Sequence, residues 1–189
     1  FTVESIELTY WKSPFEDKAI TKDEFTVTGI ENANVTDNII KATNTSATFK
    51  IALAEACYTN SIDVTINSTY GMNLVSTIND RNGAKLIFED GTFVKTKLTV
   101  GQNENAWDHW FGKIYANTTT TLNIVIPEEY KNKKFAAIEM NAYSSSLNQN
   151  TEGSLTISSV SLNGILDSLA LKIIDTYNNP ETNATGVAM

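Results

Sequence analysis

The segment Gly101-Gln102-Asn103-Glu104-Asn105-Ala106-Trp107-Asp108-His109-Trp110-Phe111-Gly112 gathers two of the three Trp residues and the single His into twelve positions. An indole face packs on the axial C–H surface of a pyranose, while flanking amides and carboxylates exchange hydrogen bonds with its hydroxyls. Gln102, Asn103, Asn105, Asp108 and His109 supply that polar complement. Trp107 and Trp110 stand at i, i+3, so on a strand they would point to opposite faces. Both reach one ligand only from a loop, and an angled pair of rings suits a curved, starch-like α-glucan better than a flat β-glucan. The competing role for Trp110 or Phe111 is to plug the end of a hydrophobic core.

A second aromatic group, Tyr10, Trp11 and Phe15, follows the first apolar run and serves either to cap the core or to touch a ligand. Tyr143, in Asn141-Ala142-Tyr143-Ser144-Ser145-Ser146, sits at a strand end beside polar turn residues and is a further ligand-contact candidate.

Catalysis finds little support in the same residues. A nucleophilic triad needs a His, His109 is the only one, and no Gly-x-Ser-x-Gly surrounds a Ser. Glycoside hydrolysis needs two carboxyls about 5 to 10 Å apart. Glu89, Asp90, Asp108, Glu128 and Glu139 are the candidates, mostly single acids in turns, where solvated surface roles are the usual ones. The chain is therefore expected not to be an enzyme. No cofactor is expected either, although structural calcium is an option, with Glu16-Asp17, Asn79-Asp80 and Glu89-Asp90 as oxygen donors and no EF-hand pattern. Cys57 is the single cysteine, which excludes an intrachain disulfide and a thiolate zinc site. Between Ala56 and Tyr58 it reads as a small buried residue.

Partners are bounded by charge. A net charge of −8, with Arg81 the single Arg among fourteen basic residues, counts against a nucleic-acid surface, which needs clustered Lys and Arg. No run of about twenty apolar residues spans a bilayer. A chain opening at Phe1 is expected to have lost a leader or to have been excised from a longer one, and the expected location is outside the cell or at its surface. Sequons at Asn34, Asn44, Asn67, Asn117 and Asn183 are what an Asn- and Thr-rich chain produces by chance, and the excess of Lys over Arg favours a bacterial origin.

The elements that must position these side chains are strands. The chain holds 21 Asn, 25 Thr and 14 Ser, a composition of strands joined by polar turns and not of helical bundles. At 189 residues it is long enough for one domain that buries about 70% of its unfolded surface. Period-two alternation places Phe49, Ile51 and Leu53 on one face, then Ile62, Val64 and Ile66. The same pattern returns in Ala84, Leu86 and Phe88, in Val94, Leu98 and Val100, in Leu122, Ile124 and Ile126, and in Ala136, Ile138 and Met140. Weaker segments cover 24–30, 38–43 and 72–78. Glu89-Asp90-Gly91 predicts a hairpin over 84–100. The apolar phase slips between Val3 and Ile6, and again between Ile157 and Val160 across Ser158-Ser159, which predicts bulges or crossings between sheets. The fold expected is all-β, an antiparallel β-sandwich of jelly-roll type, over residues 1–164. Residues 165–189 are expected to form a packed tail and a linker to a further module.

Val3-Glu4-Ser5-Ile6-Glu7-Leu8-Thr9, the Trp-bearing segment, Thr121-Leu122-Asn123-Ile124-Val125-Ile126-Pro127, the stretch Phe135 to Tyr143 and the closing run Leu155 to Gly164 follow one another in a telling order. In this order the chain resembles carbohydrate-binding modules from the cell-surface polysaccharide-degrading systems of Gram-positive gut bacteria, and starch-adherence proteins among them. The resemblance implies a jelly-roll sandwich without catalysis, with a polysaccharide or oligosaccharide as partner and a further module or anchor beyond Met189. The alternative is a structural or adhesin-type surface sandwich that binds a protein through a flat apolar patch.

Overall fold

The computed structural model describes residues 15–75, 84–96, 99–100, 112–144 and 153–166. Their strands are β1 (Phe15–Ile20), β2 (Phe25–Glu31), β3 (Ala33–Thr36), β4 (Ile39–Ala42), β5 (Ser46–Cys57), β6 (Ser61–Ser68) and β7 (Met72–Val75). They continue with β8 (Ala84–Phe88), β9 (Phe93–Thr96), β10 (Thr99–Val100), β11 (Gly112–Ile114), β12 (Thr118–Val125), β13 (Phe135–Tyr143) and β14 (Ser154–Leu166). No helix among the described residues is long and apolar enough to cross a membrane.

The strands form two antiparallel sheets. The first is ordered β10-β12-β6-β14-β4-β3, with β1 also on β14; the second is ordered β11-β7-β13-β5-β2, with the β8–β9 pair also on β13. From β4 to β7 successive strands alternate between the sheets. After β11, which pairs with β7, they alternate again from β11 to β14. That double alternation is the winding of a jelly roll, so the fold is an antiparallel β-sandwich of that type.

Alternation builds the core. Ile62, Val64 and Ile66 of β6, Leu122 and Ile124 of β12, and Leu155, Ile157, Val160 and Leu162 of β14 face inward from the first sheet. Phe49 and Ile51 of β5, Leu86 and Phe88 of β8, and Ile138 and Met140 of β13 meet them from the second. The phase slip on the closing strand is a bulge: Ile157 pairs with Ile66 and Ser159 with Thr65, leaving Ser158 as the extra residue. The expected opening run from Val3 lies outside the described residues.

Three local features differ from the sequence reading. The hairpin closes earlier than 84–100: β8 and β9 pair from Ala84↔Thr96 to Ile87↔Phe93, whereas Thr99 and Val100 pair with β12 in the other sheet. Gly91, at φ 80°, makes its turn. Ala136 does not share an inner face with Ile138 and Met140, because the register shifts between Phe135 and Ala137 and Phe135 takes the buried position. A second hairpin, β3 to β4, turns on Asp37-Asn38, both at positive φ, between the paired Thr36 and Ile39. Two left-handed residues in a two-residue loop match the right-handed twist of the strands they join. At one end of the sandwich the 3₁₀ turn Glu128–Tyr130 stacks Tyr130 on Phe88, ring centroids 5.2 Å apart.

Candidate functional site

The segment singled out in the sequence joins the two sheets. It leaves β10 at Val100, which pairs with Leu122, and re-enters β11 at Gly112, which pairs with Leu74. Gln102, Asn103, Asn105, Trp107, Asp108, His109 and Trp110 lie outside the described residues, as do Tyr10 and Trp11. Tyr143 is described, and it leads to a surface that the sequence reading had not assembled.

Tyr143 is the last residue of β13 and stands directly opposite Ser46 of β5. Alternation puts Glu139, Asn141 and Tyr143 on the outer face of the second sheet, because Ile138, Met140 and Ala142 face the core. Asn141 is only 4% exposed although it lies on that outer face. Its Nδ2 donates to Ser46 Oγ at 2.7 Å and to Thr48 Oγ1 at 2.9 Å. Each hydroxyl therefore accepts from the amide and keeps its own hydrogen available for another acceptor. Asn141 Oδ1 is buried and has no donor. A buried carbonyl without a partner is uncommon and costs about 1–3 kcal/mol.

One step along the strands, a row of charged residues crosses the same face. Lys50 of β5 is paired with Glu139 of β13, Glu139 with Lys85 of β8, and Lys85 with Lys95 of β9. Lys85 Nζ lies 3.3 Å from Glu139 Oε2 and 4.9 Å from the centroid of the Phe93 ring, which is 54% exposed. The face thus carries Tyr143 towards one end and Phe93 towards the other, with the Ser46 and Thr48 hydroxyls, Lys50, Lys85 and Glu139 between them.

The outer face of the first sheet is different in kind. Asp63 accepts from Asn123 Nδ2 at 2.6 Å and Asn163 Nδ2 at 3.0 Å. Asn67 donates to Ser158 Oγ at 2.8 Å and accepts from Thr119 Oγ1 at 2.6 Å, and the Thr65 and Thr121 hydroxyls are 3.1 Å apart. These groups satisfy one another across β12, β6 and β14, so they act as cross-strand ties.

The carboxylates considered for catalysis or calcium are mostly engaged by lysines. Glu89 meets Lys134, Glu128 meets Lys131 and Glu139 meets Lys85. Asp90 accepts from Lys133 and from the Thr92 hydroxyl and backbone N–H, which hold its carboxyl down at about 2. Asp17 Oδ1 accepts from the Gly164 N–H; Asn79 and Asp80 lie outside the described residues. Among the described residues no three His, Cys, Asp or Glu gather as a metal site would require. Cys57 is half-buried where full burial was expected, and desolvation raises its thiol pKa. It lines a cavity of about 180 Å³ between the sheets, with Lys18, Ile20, Glu24, Leu53 and Leu162.

No protein-family model matches the chain, and no curated protein matches it in sequence. Among solved structures the chain is similar to a xylan-binding module, CBM15, at 12% identity and a TM-score of 0.47, covering 79% of this chain and 97% of that one. It is similar to a mutant of a family 29 carbohydrate-binding module complexed with mannohexaose, at 8% identity and a TM-score of 0.42, over 79% of this chain and 87% of that one. It is also similar to the exoplasmic/lumenal domain of VIP36 in its Ca2+/Man3GlcNAc-bound form, at 10% identity and a TM-score of 0.34, over 87% and 89% of the two chains. At these identities the likeness is one of fold alone.

Proposed function

We propose that this chain is a non-catalytic carbohydrate-binding module that holds a polysaccharide on the outer face of the second sheet. The observation that carries the reading is Tyr143 opposite Ser46, beside Ser46 and Thr48 hydroxyls that both accept from the Asn141 amide and keep their own hydrogens to donate. A ring flanked by hydroxyls with a hydrogen left to donate suits a sugar, which offers a C–H face and hydroxyls at once. Trp107 and Trp110, in the segment leading into β11, add stacking surface in this reading, with Asn103, Asn105, Asp108 and His109 around them. Their spacing alone favours a curved α-glucan. The module works without a cofactor, outside the cell, as one part of a larger bacterial surface protein, with the residues that follow β14 as its connection.

An adhesin-type role would call for a continuous apolar patch. Among the described residues the large exposed apolar side chains are Ile30, Ile39, Phe93, Tyr115 and Val125, with Ile30 and Phe93 at opposite edges of the second sheet and Ile39 and Val125 on the first.

The test is affinity electrophoresis in native gels cast with starch, β-glucan, xylan or mannan, comparing the parent chain with Tyr143→Ala, Trp107→Ala and Trp110→Ala. Retardation by a polymer, lost in folded variants, supports the module reading and names the sugar class. A chain that no neutral or charged polysaccharide retards is not a carbohydrate-binding module.

A further inference from the structure

We infer that the cavity beside Cys57 is a binding site for a small uncharged aryl compound, one aromatic ring with a short neutral substituent. The inference stands apart from the carbohydrate reading, since this cavity opens between the sheets and not on the outer face of the second. Two irregularities of strand pairing border it. β13 pairs Phe135 with Cys57 and Ala137 with Ala52, so Ala136 alone stands against Leu53, Ala54, Glu55 and Ala56, and β5 carries three extra residues there. β1 pairs Glu16 with Ile165 and Lys18 with Leu162, so Asp17 alone stands against Asn163 and Gly164 of β14. Gly164 takes φ 67° in this bulge and its N–H donates to Asp17 Oδ1 at 3.0 Å. Bulges bend a strand off its regular path and gather beside functional sites. Here Leu53, Ala54 and Cys57 at the first bulge and Lys18 and Leu162 at the second line one cavity of about 180 Å³.

Size and lining set the ligand. An apolar cavity of about 150 Å³ takes benzene, so this one has room for a single ring and roughly two further heavy atoms. Ile20, Leu53 and Leu162 supply aliphatic walls, and the polarisable Cys57 sulfur suits an aromatic ring. Desolvation raises the pKa of that thiol, as apolar surroundings do. The interior offers a polar group nothing to meet: among the described residues the buried side-chain atom without a partner is Asn141 Oδ1, on the outer face of the second sheet. Charge sits at the rim. Lys18 of β1 pairs with Glu24, which precedes β2, and so ties one sheet to the other, while Glu55 adds a second carboxylate. Lys134, whose charge also reaches Cys57, is met by Glu89. Neither lysine is left to attract an anion, and a carboxylated ligand would meet Glu24 and Glu55.

The experiment reads Cys57 in the parent chain, with benzyl alcohol as the probe. Benzyl alcohol should slow alkylation by iodoacetamide at pH 8 by about fivefold or more, saturating at roughly millimolar concentration. Benzoate, the same ring carrying a carboxylate, should change the rate by less than about twofold. At about ten times its dissociation constant, benzyl alcohol should also raise the melting temperature by about 3 to 6 °C. Cys57→Leu fills much of the cavity with aliphatic bulk and should abolish that rise, a cooperative melt showing that the variant folds. Should it not fold, the alkylation rates of the parent decide alone. Alkylation indifferent to benzyl alcohol, equal protection by benzoate, or the same rise in melting temperature in a folded Cys57→Leu would each overturn the inference. None of these results bears on retention by a polysaccharide gel, so the module reading stands or falls separately.

Discussion

Ile157 and Val160 lie three residues apart on β14, yet both project into the core. Strict alternation would put them on opposite faces, and the bulge at Ser158 restores the phase by adding one residue against the Ile66–Thr65 pair of β6. Asn67 of β6 donates to the Ser158 hydroxyl and ties the bulge down.

Deleting Ser158 alone should leave a regular strand, with Ile157 and Val160 two apart and both inward, whereas deleting Ser158 and Ser159 together should turn Val160 and Leu162 outward while Leu155 and Ile157 stay buried. Exposing two aliphatic side chains costs ~3–6 kcal/mol, a large part of a domain's total stability. Loss of a cooperative thermal transition by circular dichroism is expected. A double deletion that melts within a few degrees of the parent would disprove the register.

Gly29 ends the regular part of β2, where the register shifts before Glu31, and a Cβ there would fall on the carbonyl oxygen of Ala33. Gly29→Ala forces backbone to move and should cost about 2 kcal/mol or more, whereas Thr28→Ala on the same strand should stay within about 0.5 kcal/mol. Urea unfolding of the two variants measures the contrast.

The ion pair of Lys18 with Glu24 sets a pH dependence. The hydrogen bond from Lys18, then those from the Thr21 backbone and hydroxyl, lower the Glu24 carboxyl from 4.5 to about 2. A depressed folded-state pKa contributes stability that is fully present above the unfolded value and is lost as pH falls through the folded one. The gap in melting temperature between parent and Glu24→Gln should thus be constant above about pH 5.5, shrink from there, and be nearly gone by about pH 2, vanishing below it. A gap that persists at pH 2 would assign the difference to some other cause. Both groups are well solvated, so the gap should be small and shrink with salt.

Asn141 and Asn123 are matched amides on opposite faces, and they separate binding from stability. Replacing either with Ala removes side-chain hydrogen bonds and should cost about 1–2 kcal/mol. Asn141→Ala should also weaken retention on a polysaccharide gel, because the Ser46 and Thr48 hydroxyls lose the partner that orients them. Asn123→Ala should not. Equal retention of both variants would place the sugar elsewhere than on the second sheet.

Cys57 should react slowly. Its half-burial and raised thiol pKa keep the thiolate scarce, so alkylation by iodoacetamide at pH 8 should lag a free cysteine several-fold and reach that rate on unfolding. Labelling as fast in the native chain as in urea would show the cavity to be open.

Much of the architecture is legible along the chain because side-chain alternation is a local property. Phe49 to Leu53, Ile62 to Ile66 and Leu122 to Ile126 announce β5, β6 and β12, and the slip across Ser158-Ser159 announces its own bulge. Asp37-Asn38 was equally readable as a two-residue turn, since both residue types tolerate positive φ. Thr99 and Val100 pair with β12 and not with the β8–β9 hairpin, which alternation does not reveal because it reports which face is buried and is silent about which sheet pairs with the strand.

The sequence by itself determined that the chain is a strand-built sandwich with a Trp-bearing segment between two strands, and that Tyr143 ends one of them. Only the tertiary structure decided that Lys50, Glu139, Lys85 and Lys95 form one row and that Asn141 meets Ser46 and Thr48. These residues are separated by as many as 95 positions, as Ser46 and Asn141 are, and converge only through strand pairing. Cross-strand register depends on non-local hydrogen bonds and on the packing of the opposite face, and no local pattern of residue types encodes it.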